Sequence, residues 1–298
     1  MLDHKDSSHG SDFSIIIPAY NEEEGILEVL TDLCQRNDLL DTEIIVVDDG
    51  STDRTGDIVS TFQRVKYSRH PHNRGYSSAI KTGIKISTSK YVIWFDADGQ
   101  HRTDDLIMVA DTLKRKKLDY CIGVRDAKSH RVFNRRFGKF ILKLAVTFAA
   151  GRNIGDFNSG LRGFKREVIM QYLHLLPKGF GASTTTSLLM VENSHVGEEV
   201  PITVLSRTGK SSVRQIRDGL RTLMLILRIF LIFKPLHFFG GIGGLSIFVG
   251  SIYGISEAII YRLGFPVFAA ILIIFGIQSL FFGLLCDQIS ALRRERLE

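Results

Sequence analysis

The sequence predicts an α/β fold, a Rossmann-like domain with a mostly parallel sheet, followed by helices that cross a membrane. Short apolar runs alternate with segments of helical periodicity over residues 13–212, a pattern typical of a parallel sheet covered on both faces. Polar residues follow directly after three of these runs. Two apolar stretches close the chain, and each exceeds the roughly 20 residues that span a bilayer.

Four strands are predicted from apolar, β-branched or aromatic runs that stop at proline or at polar residues. They cover residues 14–18, 43–47, 65–68 and 91–95. The spacing of apolar residues predicts helices between them, over residues 22–36, 53–63 and 75–86. Because ligands of such sheets bind outside the carboxyl ends of the strands, the polar residues found there are the candidate site.

Charge and composition narrow the kinds of molecule that the protein is expected to bind. The net charge is +6, and one basic stretch, residues 207–234, runs straight into apolar sequence. This arrangement favours a membrane surface and lipid phosphate over nucleic acid. The cysteines Cys34, Cys121 and Cys286 are widely spaced and form no disulfide or metal pattern. The polar residues 1–12 are expected to be a disordered tail without a signal peptide.

The C-terminal region is predicted to be a transmembrane hairpin over residues 235–287. The loop between its helices carries one cation, whereas both flanks are basic. The positive-inside rule therefore places the catalytic domain and both termini in the cytoplasm, with residues 288–298 as a basic tail. Residues 213–234 are predicted to be an amphipathic helix on the membrane surface. A domain helix that packs its apolar side is the alternative.

The turn Asp96-Ala97-Asp98 follows a buried strand and carries the strongest chemical signal. Two carboxylates in this turn, with Gln100 close behind, are hard oxygen ligands that suit Mg²⁺ or Mn²⁺ bound to a diphosphate. Asp49 ends the preceding apolar strand and is either an acceptor for a nucleotide base or part of an Asx turn. The loop histidines His70 and His72 are expected at the surface.

Four motifs occur in order: PAYNE at 18–22, VDDGSTD at 47–53, NRG at 73–75 and FDADGQ at 95–100. In this combination the chain resembles the family 2 glycosyltransferases with a GT-A fold. With its hairpin it is also similar to dolichyl-phosphate mannose synthases and bacterial polyprenyl-phosphate glycosyltransferases. The resemblance implies a nucleotide-sugar donor, a polyprenyl or dolichyl phosphate acceptor and a Mg²⁺ or Mn²⁺ cofactor.

The resemblance also implies roles for individual residues. The metal ligands are Asp98 and Gln100. The donor site comprises these two residues together with Pro18, Tyr20, Glu22, Asp49, Asp96, Ala97 and Arg207. The acceptor phosphate is bound by Arg125, Arg135, Lys139, Arg207 and Lys210, with Lys139 standing where the family has a serine. The catalytic residues are Asp98, Arg125 and Asp156, and Asp156 acts either as a base or as an orienting group.

The expected reaction is a single inverting displacement by the lipid phosphate at the anomeric carbon of a hexose linked to GDP or UDP. A processive polysaccharide synthase is excluded, because its Gln-x-x-Arg-Trp motif needs a tryptophan and the only one, Trp94, lies after an isoleucine inside a strand. Two alternatives stay open. In the first, the chain is a membrane-anchored glycosyltransferase that acts on a non-lipid acceptor. In the second, it is a non-catalytic scaffold with the same fold.

Overall fold

The computed structural model describes residues 12–126, 143–144, 146–148, 155–179, 181–205, 224–225, 227–231, 233–262 and 264–295. These residues form two compact units. The first takes in the described residues up to 126 and those from 155 to 205. The second takes in residues 143–148 and the described residues from 224 onwards.

The first unit is built on one seven-stranded sheet. Its strands are β1 Phe13–Ala19, β2 Glu43–Asp48, β3 Val65–Arg69, β4 Tyr91–Trp94, β5 Tyr120–Arg125, β6 Arg162–Lys165 and β7 Gly197–Ile202. Their spatial order is β3-β2-β1-β4-β6-β5-β7. Only β6 runs against its neighbours β4 and β5, and the other pairs are parallel. The predicted mostly parallel α/β fold is confirmed.

Six helices accompany the sheet among the described residues of this unit. They are α1 Ile26–Gln35, α2 Thr55–Ser60, α3 Tyr76–Ile86, α4 Thr103–Lys116, α5 Arg166–Tyr172 and α6 Ala182–Glu192, with a short 3₁₀ turn at Asn37–Leu39. The four strands and three helices that the sequence predicts are found with small shifts at their ends. Helix α1 starts four residues later than expected, because residues 21–23 are bonded instead to the loop after β2.

Both faces of the central strands are buried, which explains their unbroken apolar sequence. Ile15, Ile16 and Ile17 are each 0% exposed. Ile15 and Ile17 belong to the main core cluster with α1 and α4, while Ile16 faces helix α3. There a β-carbon on Gly83 would lie 2.3 Å from Cγ2 of Ile16. Helix α3 therefore approaches the sheet more closely than any side chain at position 83 allows.

The second unit contains two long apolar helices, α7 Pro235–Ile259 and α8 Val267–Glu295. Both are long and apolar enough to cross a membrane. They pack through small residues: a β-carbon on Gly243 would lie 2.6 Å from the carbonyl oxygen of Gly276, and the Ser279 hydroxyl donates to the carbonyl of Phe239 at 3.1 Å. Close contact through glycine and serine is typical of helix pairs in lipid.

The predicted surface helix at residues 213–234 lies mostly outside the described residues. Positions 224–225, 227–231 and 233 are helical, with Leu225, Ile229 and Phe233 buried. Its location on a membrane surface stays a prediction. Helix α8 continues to Glu295, so the first part of the predicted basic tail is helical.

Gly83→Ala should destabilise the first unit, although alanine is intrinsically the better helix former by about 0.8–1 kcal/mol. Overpacking against Ile16 costs about 1–3 kcal/mol and outweighs that gain. The fluorescence of the single tryptophan, Trp94, reports unfolding of this unit, and its thermal midpoint should fall. The control Lys85→Ala alters an exposed position of the same helix and should leave the midpoint unchanged. An unchanged or raised midpoint in Gly83→Ala would contradict the close packing.

Candidate active site

The sheet topology gathers the predicted site residues at one edge. Strands β2, β1, β4, β5 and β7 all run in the same direction, so their carboxyl ends meet there. The antiparallel β6 brings the loop that precedes it, residues 155–161, to the same edge. The predicted residues at the edge are Tyr20, Glu22, Asp49, Asp96, Asp98, Gln100, Arg125 and Asp156. The buried Pro18 and Ala97 belong to the backbone beneath them.

Asp96 is held by three groups. Its Oδ1 accepts a hydrogen bond from the Tyr76 hydroxyl at 2.7 Å, and its Oδ2 lies 3.7 Å from Nε2 of His101. Burial alone would raise the pKa of this carboxyl, but His101, Tyr76 and the charge of Arg162 outweigh it and hold the pKa below its ordinary value. Asp96 is therefore ionised at neutral pH.

The turn after Asp96 is fixed from two sides. The backbone amide of Gln100 donates to Oδ1 of Asp98 at 3.1 Å. The Gln100 side-chain amide donates to the carbonyl of Leu205 at 3.2 Å, and the Leu205 amide donates back to the Gln100 carbonyl at 2.9 Å. On the other side, a β-carbon on Gly25 would lie 2.7 Å from the carbonyl oxygen of Ala97. The turn is thus held between Gly25 at the start of α1 and Leu205 in the segment that follows β7.

The donor set at this turn fits a hard divalent cation. Asp98 offers carboxylate oxygens, and because the Gln100 nitrogen is committed to Leu205, the amide oxygen is the atom left for a ligand. Among the described residues no group of three His, Cys, Asp or Glu side chains is placed to hold a metal. One carboxylate and one amide oxygen suit Mg²⁺ or Mn²⁺, whose remaining positions are filled by water and substrate phosphates. They do not suit zinc.

Asp49 is buried at the end of β2, with 2% exposure. Its carboxylate accepts hydrogen bonds from the backbone amides of Arg74 at 2.9 Å and Gly75 at 2.6 Å. A third bond, at 2.7 Å, joins it to Nδ1 of His70. Three of the about four acceptor positions of this carboxylate are therefore taken by protein groups. The role of Asp49 in binding the base stays a prediction.

The expectation that His70 is a surface histidine is wrong. Its ring is buried and bonded at both nitrogens, to Asp49 and, through Nε2, to the Thr82 hydroxyl at 2.9 Å. His72, two residues later, is exposed as expected. The buried position of His70 arises from the carboxylate at the end of β2, 21 residues earlier in the chain. No local sequence pattern reveals such a partner.

The first strand end is tied to the second by side-chain hydrogen bonds. The backbone amide of Asn21 donates to the Ser51 hydroxyl at 3.0 Å, and the backbone amide of Glu22 donates to the Thr55 hydroxyl at 2.9 Å. Tyr20 remains 42% exposed beside them. An exposed aromatic ring on a fixed loop is well suited to stack on a flat ligand.

Arg125 and Asp156 are joined in an ion pair, with Nε 3.0 Å from Oδ2. Arg125 is the last residue of β5, and Asp156 lies in the loop before β6. The ion pair therefore connects that loop to the end of β5. The carboxylate also accepts from the Asn158 amide at 3.3 Å. Asp156 is thereby committed to holding Arg125 and its own loop.

A fully buried arginine, Arg162, is the residue that the sequence did not reveal. It stands opposite Trp94 in the β4–β6 pairing, 5.8 Å from the ring centre. Its guanidinium donates to the carbonyls of Ser159 and Ser183, each at 2.6 Å, and to that of Phe157 at 3.3 Å. Burial lowers the pKa of Arg162 to about 10, which leaves it charged at neutral pH.

Helix α6 supplies further partners for this cation. The hydroxyls of Thr186 and Ser187 each lie 3.1 Å from Nη1 of Arg162. The run of hydroxyl residues at 183–187 is the signal in the sequence that points to such a partner, because a buried hydroxyl needs one.

Comparison with known proteins gives the family. The model described as "Glycosyl transferase family 2" matches residues 14–173, more than half of the chain. The chain belongs to glycosyl transferase family 2. A second model, described as "GtrB C-terminal hairpin", matches residues 234–292. The resemblance drawn from the sequence motifs is confirmed, and the chain is a glycosyltransferase.

Three curated relatives illustrate the similarity. "Glycosyltransferase AglJ" of Haloferax volcanii is 29% identical over 95% of both chains. "UDP-N-acetylglucosamine--dolichyl-phosphate N-acetylglucosaminyltransferase" of Methanococcus voltae is 30% identical over 52% of this chain and 70% of its own. "Undecaprenyl-phosphate 4-deoxy-4-formamido-L-arabinose transferase" of Sodalis glossinidius is 25% identical over 93% of this chain and 87% of its own.

Among solved structures, glucosyl-3-phosphoglycerate synthase from Mycobacterium tuberculosis, in complex with Mn²⁺, uridine diphosphate and phosphoglyceric acid, has the same fold. The TM-score is 0.58 at 19% identity, covering 74% of this chain and 78% of that one. This supports the GT-A fold.

Four predicted site residues, Arg135, Lys139, Arg207 and Lys210, lie outside the described residues. Their roles stay predictions.

Arg162→Met should strongly destabilise the first unit, because it keeps the side-chain volume but leaves buried carbonyls without a donor. Each such carbonyl costs about 1–3 kcal/mol, so we expect a loss of roughly 3 kcal/mol or more and a clearly lower unfolding midpoint by calorimetry. Arg115→Met, at an exposed position of α4, is the matched control. Equal midpoints for the two variants would show that the Arg162 network contributes little.

Proposed function

We propose that the chain transfers a hexose from a GDP- or UDP-linked donor to polyprenyl or dolichyl phosphate, with inversion and with Mg²⁺ or Mn²⁺ as cofactor. One observation carries the proposal. The Asp96–Gln100 turn, suited to a metal and a diphosphate, lies at the same sheet edge as the Arg125–Asp156 pair, suited to a second phosphate.

The donor half is assigned to the β1, β2 and β4 ends. Tyr20, Glu22 and Asp49 bind the nucleoside, and Asp96 lies beside the ribose and diphosphate. Asp98 and Gln100 would hold the divalent ion, whose charge would offset that of the departing diphosphate. The exposed Tyr20 ring and the position of Asp49 at the end of β2 support these roles.

The acceptor half is assigned to Arg125, with Arg135, Lys139, Arg207 and Lys210 completing it. A phosphate monoester has a second pKa near 6 and is largely dianionic at pH 7, so its oxygen attacks the anomeric carbon without prior deprotonation. As that bond forms, the bond to the nucleoside diphosphate breaks and its electrons leave with the diphosphate. Asp156 then serves to orient Arg125 rather than to remove a proton, as their ion pair supports.

The lipid acceptor is supported by the hairpin and by the relatives. Helices α7 and α8 have the length and apolarity of membrane spans, and two relatives carry dolichyl phosphate or undecaprenyl phosphate in their names. We place the protein in a membrane as a two-helix protein with its catalytic domain and both termini in the cytoplasm.

The test is a transfer assay on membranes that contain the full chain. Labelled GDP- and UDP-sugars are supplied one at a time with polyprenyl phosphate, with and without EDTA. Labelled lipid that disappears with EDTA is the expected result. Label on a water-soluble or protein acceptor instead would favour a non-lipid acceptor, and no transfer from any donor would favour a scaffold.

Asp98→Asn should reduce transfer by about 1,000-fold or more, because it removes the negative charge that holds the ion while keeping the side-chain shape. The control Asp111→Asn makes the same change at an exposed position of α4 and should retain normal turnover. Circular dichroism checks that both variants are folded. Near-normal kcat in Asp98→Asn would refute the metal assignment.

Asp156→Asn should lower kcat/KM for the lipid phosphate by about 10-fold, since it removes one charge-assisted contact to Arg125. The pH profile should keep its shape. A general base contributes about 100- to 10,000-fold, so a loss of that size together with a missing acidic limb in the profile would identify Asp156 as the base instead.

A further inference from the structure

A basic cavity lies beside helix α3, and none of the residues assigned above to the donor or the acceptor is among its described lining residues. Its volume is about 380 Å³. Four cationic side chains line it: Arg74, Lys81, Lys85 and Lys178. No acidic residue is among its described lining residues. Like charges brought together in this way repel each other unless an anion lies between them.

The cavity is formed by a loop fixed to the start of α3. The Ser77 amide and hydroxyl donate to the Gly179 carbonyl at 2.9 and 2.6 Å. The Ser78 hydroxyl lies 2.7 Å from the Lys178 carbonyl, and the Lys81 ammonium donates to the carbonyl of Leu176 at 2.6 Å. These bonds hold residues 176–179 in place and set Lys178 opposite the cations of α3.

Some exposed cations of the unit form ion pairs and others do not; among the described residues Lys90, Arg115 and Lys117 have no carboxylate in ion-pair range. The exposed or half-exposed lysines Lys66, Lys114, Lys116 and Lys165 each form an ion pair with a carboxylate. Within the described part of the chain, Arg74, Lys85 and Lys178 have no carboxylate in ion-pair range. What sets the cavity apart is that four cations share one space with no acidic residue among its described lining, an arrangement that an anionic ligand would neutralise.

The cavity is separate from the donor side of the sheet edge. Thr82 lines it, and the hydroxyl of Thr82 is bonded to His70, which is bonded in turn to Asp49. This chain of three side chains lies between the cavity and the end of β2, and the backbone amide of Arg74 also bonds Asp49. Asp49 itself is not among the described lining residues, so the cavity is distinct from the position proposed for the base.

We propose that the cavity binds a phosphate group, carried either by a lipid headgroup or by a soluble phosphate compound. Lysine ammonium groups bind phosphate as point charges, and an arginine adds a planar fork of donors. The binding is a property of the α3 cavity alone and does not depend on the proposed transfer reaction.

The test is lysine footprinting of the full chain in lipid nanodiscs. An amine-acetylating reagent is applied and the modification of each lysine is read by mass spectrometry. One arm titrates inorganic phosphate into phosphatidylcholine discs, against sodium chloride at equal ionic strength. The other arm compares phosphatidylcholine discs with discs that also contain phosphatidylglycerol. Exposed Lys90 and Lys117, which lie outside the cavity, are the internal references.

Reactivity of Lys85 and Lys178 should fall by about twofold at the half-saturating phosphate concentration and further above it, with Lys90 and Lys117 unchanged. Arg74→Gln should raise that concentration by about threefold or more, whereas Arg115→Gln, which removes the same charge from exposed α4, should not. Protection only in phosphatidylglycerol discs assigns the phosphate to a lipid headgroup, and protection only by inorganic phosphate assigns it to a soluble compound.

Three outcomes overturn the proposal. The first is absence of protection in both arms, and the second is equal protection by chloride. The third is an equal shift for Arg74→Gln and Arg115→Gln, which would show general screening rather than a site. None of these measurements uses sugar transfer, so the result stands whether or not the proposed acceptor is correct.

Discussion

The buried guanidinium of Arg162 is the interaction on which the site depends. Its donors fix the carbonyls of the loop before β6, and its charge lies close to the carboxylates of Asp96 and Asp156. A buried charge is tolerated only when its hydrogen bonds and charge are satisfied. The cation therefore helps to hold the pKa of the Asp96 carboxyl below its ordinary value, and the nearby negative charge in turn favours the charged guanidinium. The loop before β6, the end of β4 and the acidic side chains are therefore linked through this one cation.

The two halves of the edge are organised by different means. On the side proposed for the donor, backbone amides and hydroxyls bind the neighbouring loop, as at Asp49 and Asn21. On the side proposed for the acceptor, the ion pair between Arg125 and Asp156 positions the guanidinium. Bonds to the backbone give a defined shape that suits a base and a sugar, whereas a guanidinium suits a phosphate. The topology of β6 allows both on one sheet, because its reversed direction returns the chain to the same edge.

The sequence predicted the strands up to β4, the turns that follow them and the hairpin, because these follow from local apolar runs. The family motifs likewise pointed to Asp96, Asp98 and Gln100, which the structure places in one turn; their roles stay predictions. The local sequence pattern did not predict β6. Its four residues, Arg162–Lys165, include a buried charge and so do not resemble a core strand. Nor did it place His70. In both cases the partner is distant along the chain, and periodicity within a window carries no information about such a partner.

Gly25 lies against the main chain of the acidic turn, where a β-carbon would come within 2.7 Å of the Ala97 carbonyl oxygen. The loop that follows the first strand and the acidic turn are therefore in direct main-chain contact at this point. A side chain at position 25 would push the two segments apart and change the separation between Tyr20 and Asp98. In the proposed function this contact sets the distance between the groups assigned to the nucleoside and those assigned to the metal, so a residue that binds neither would still control how the donor fits.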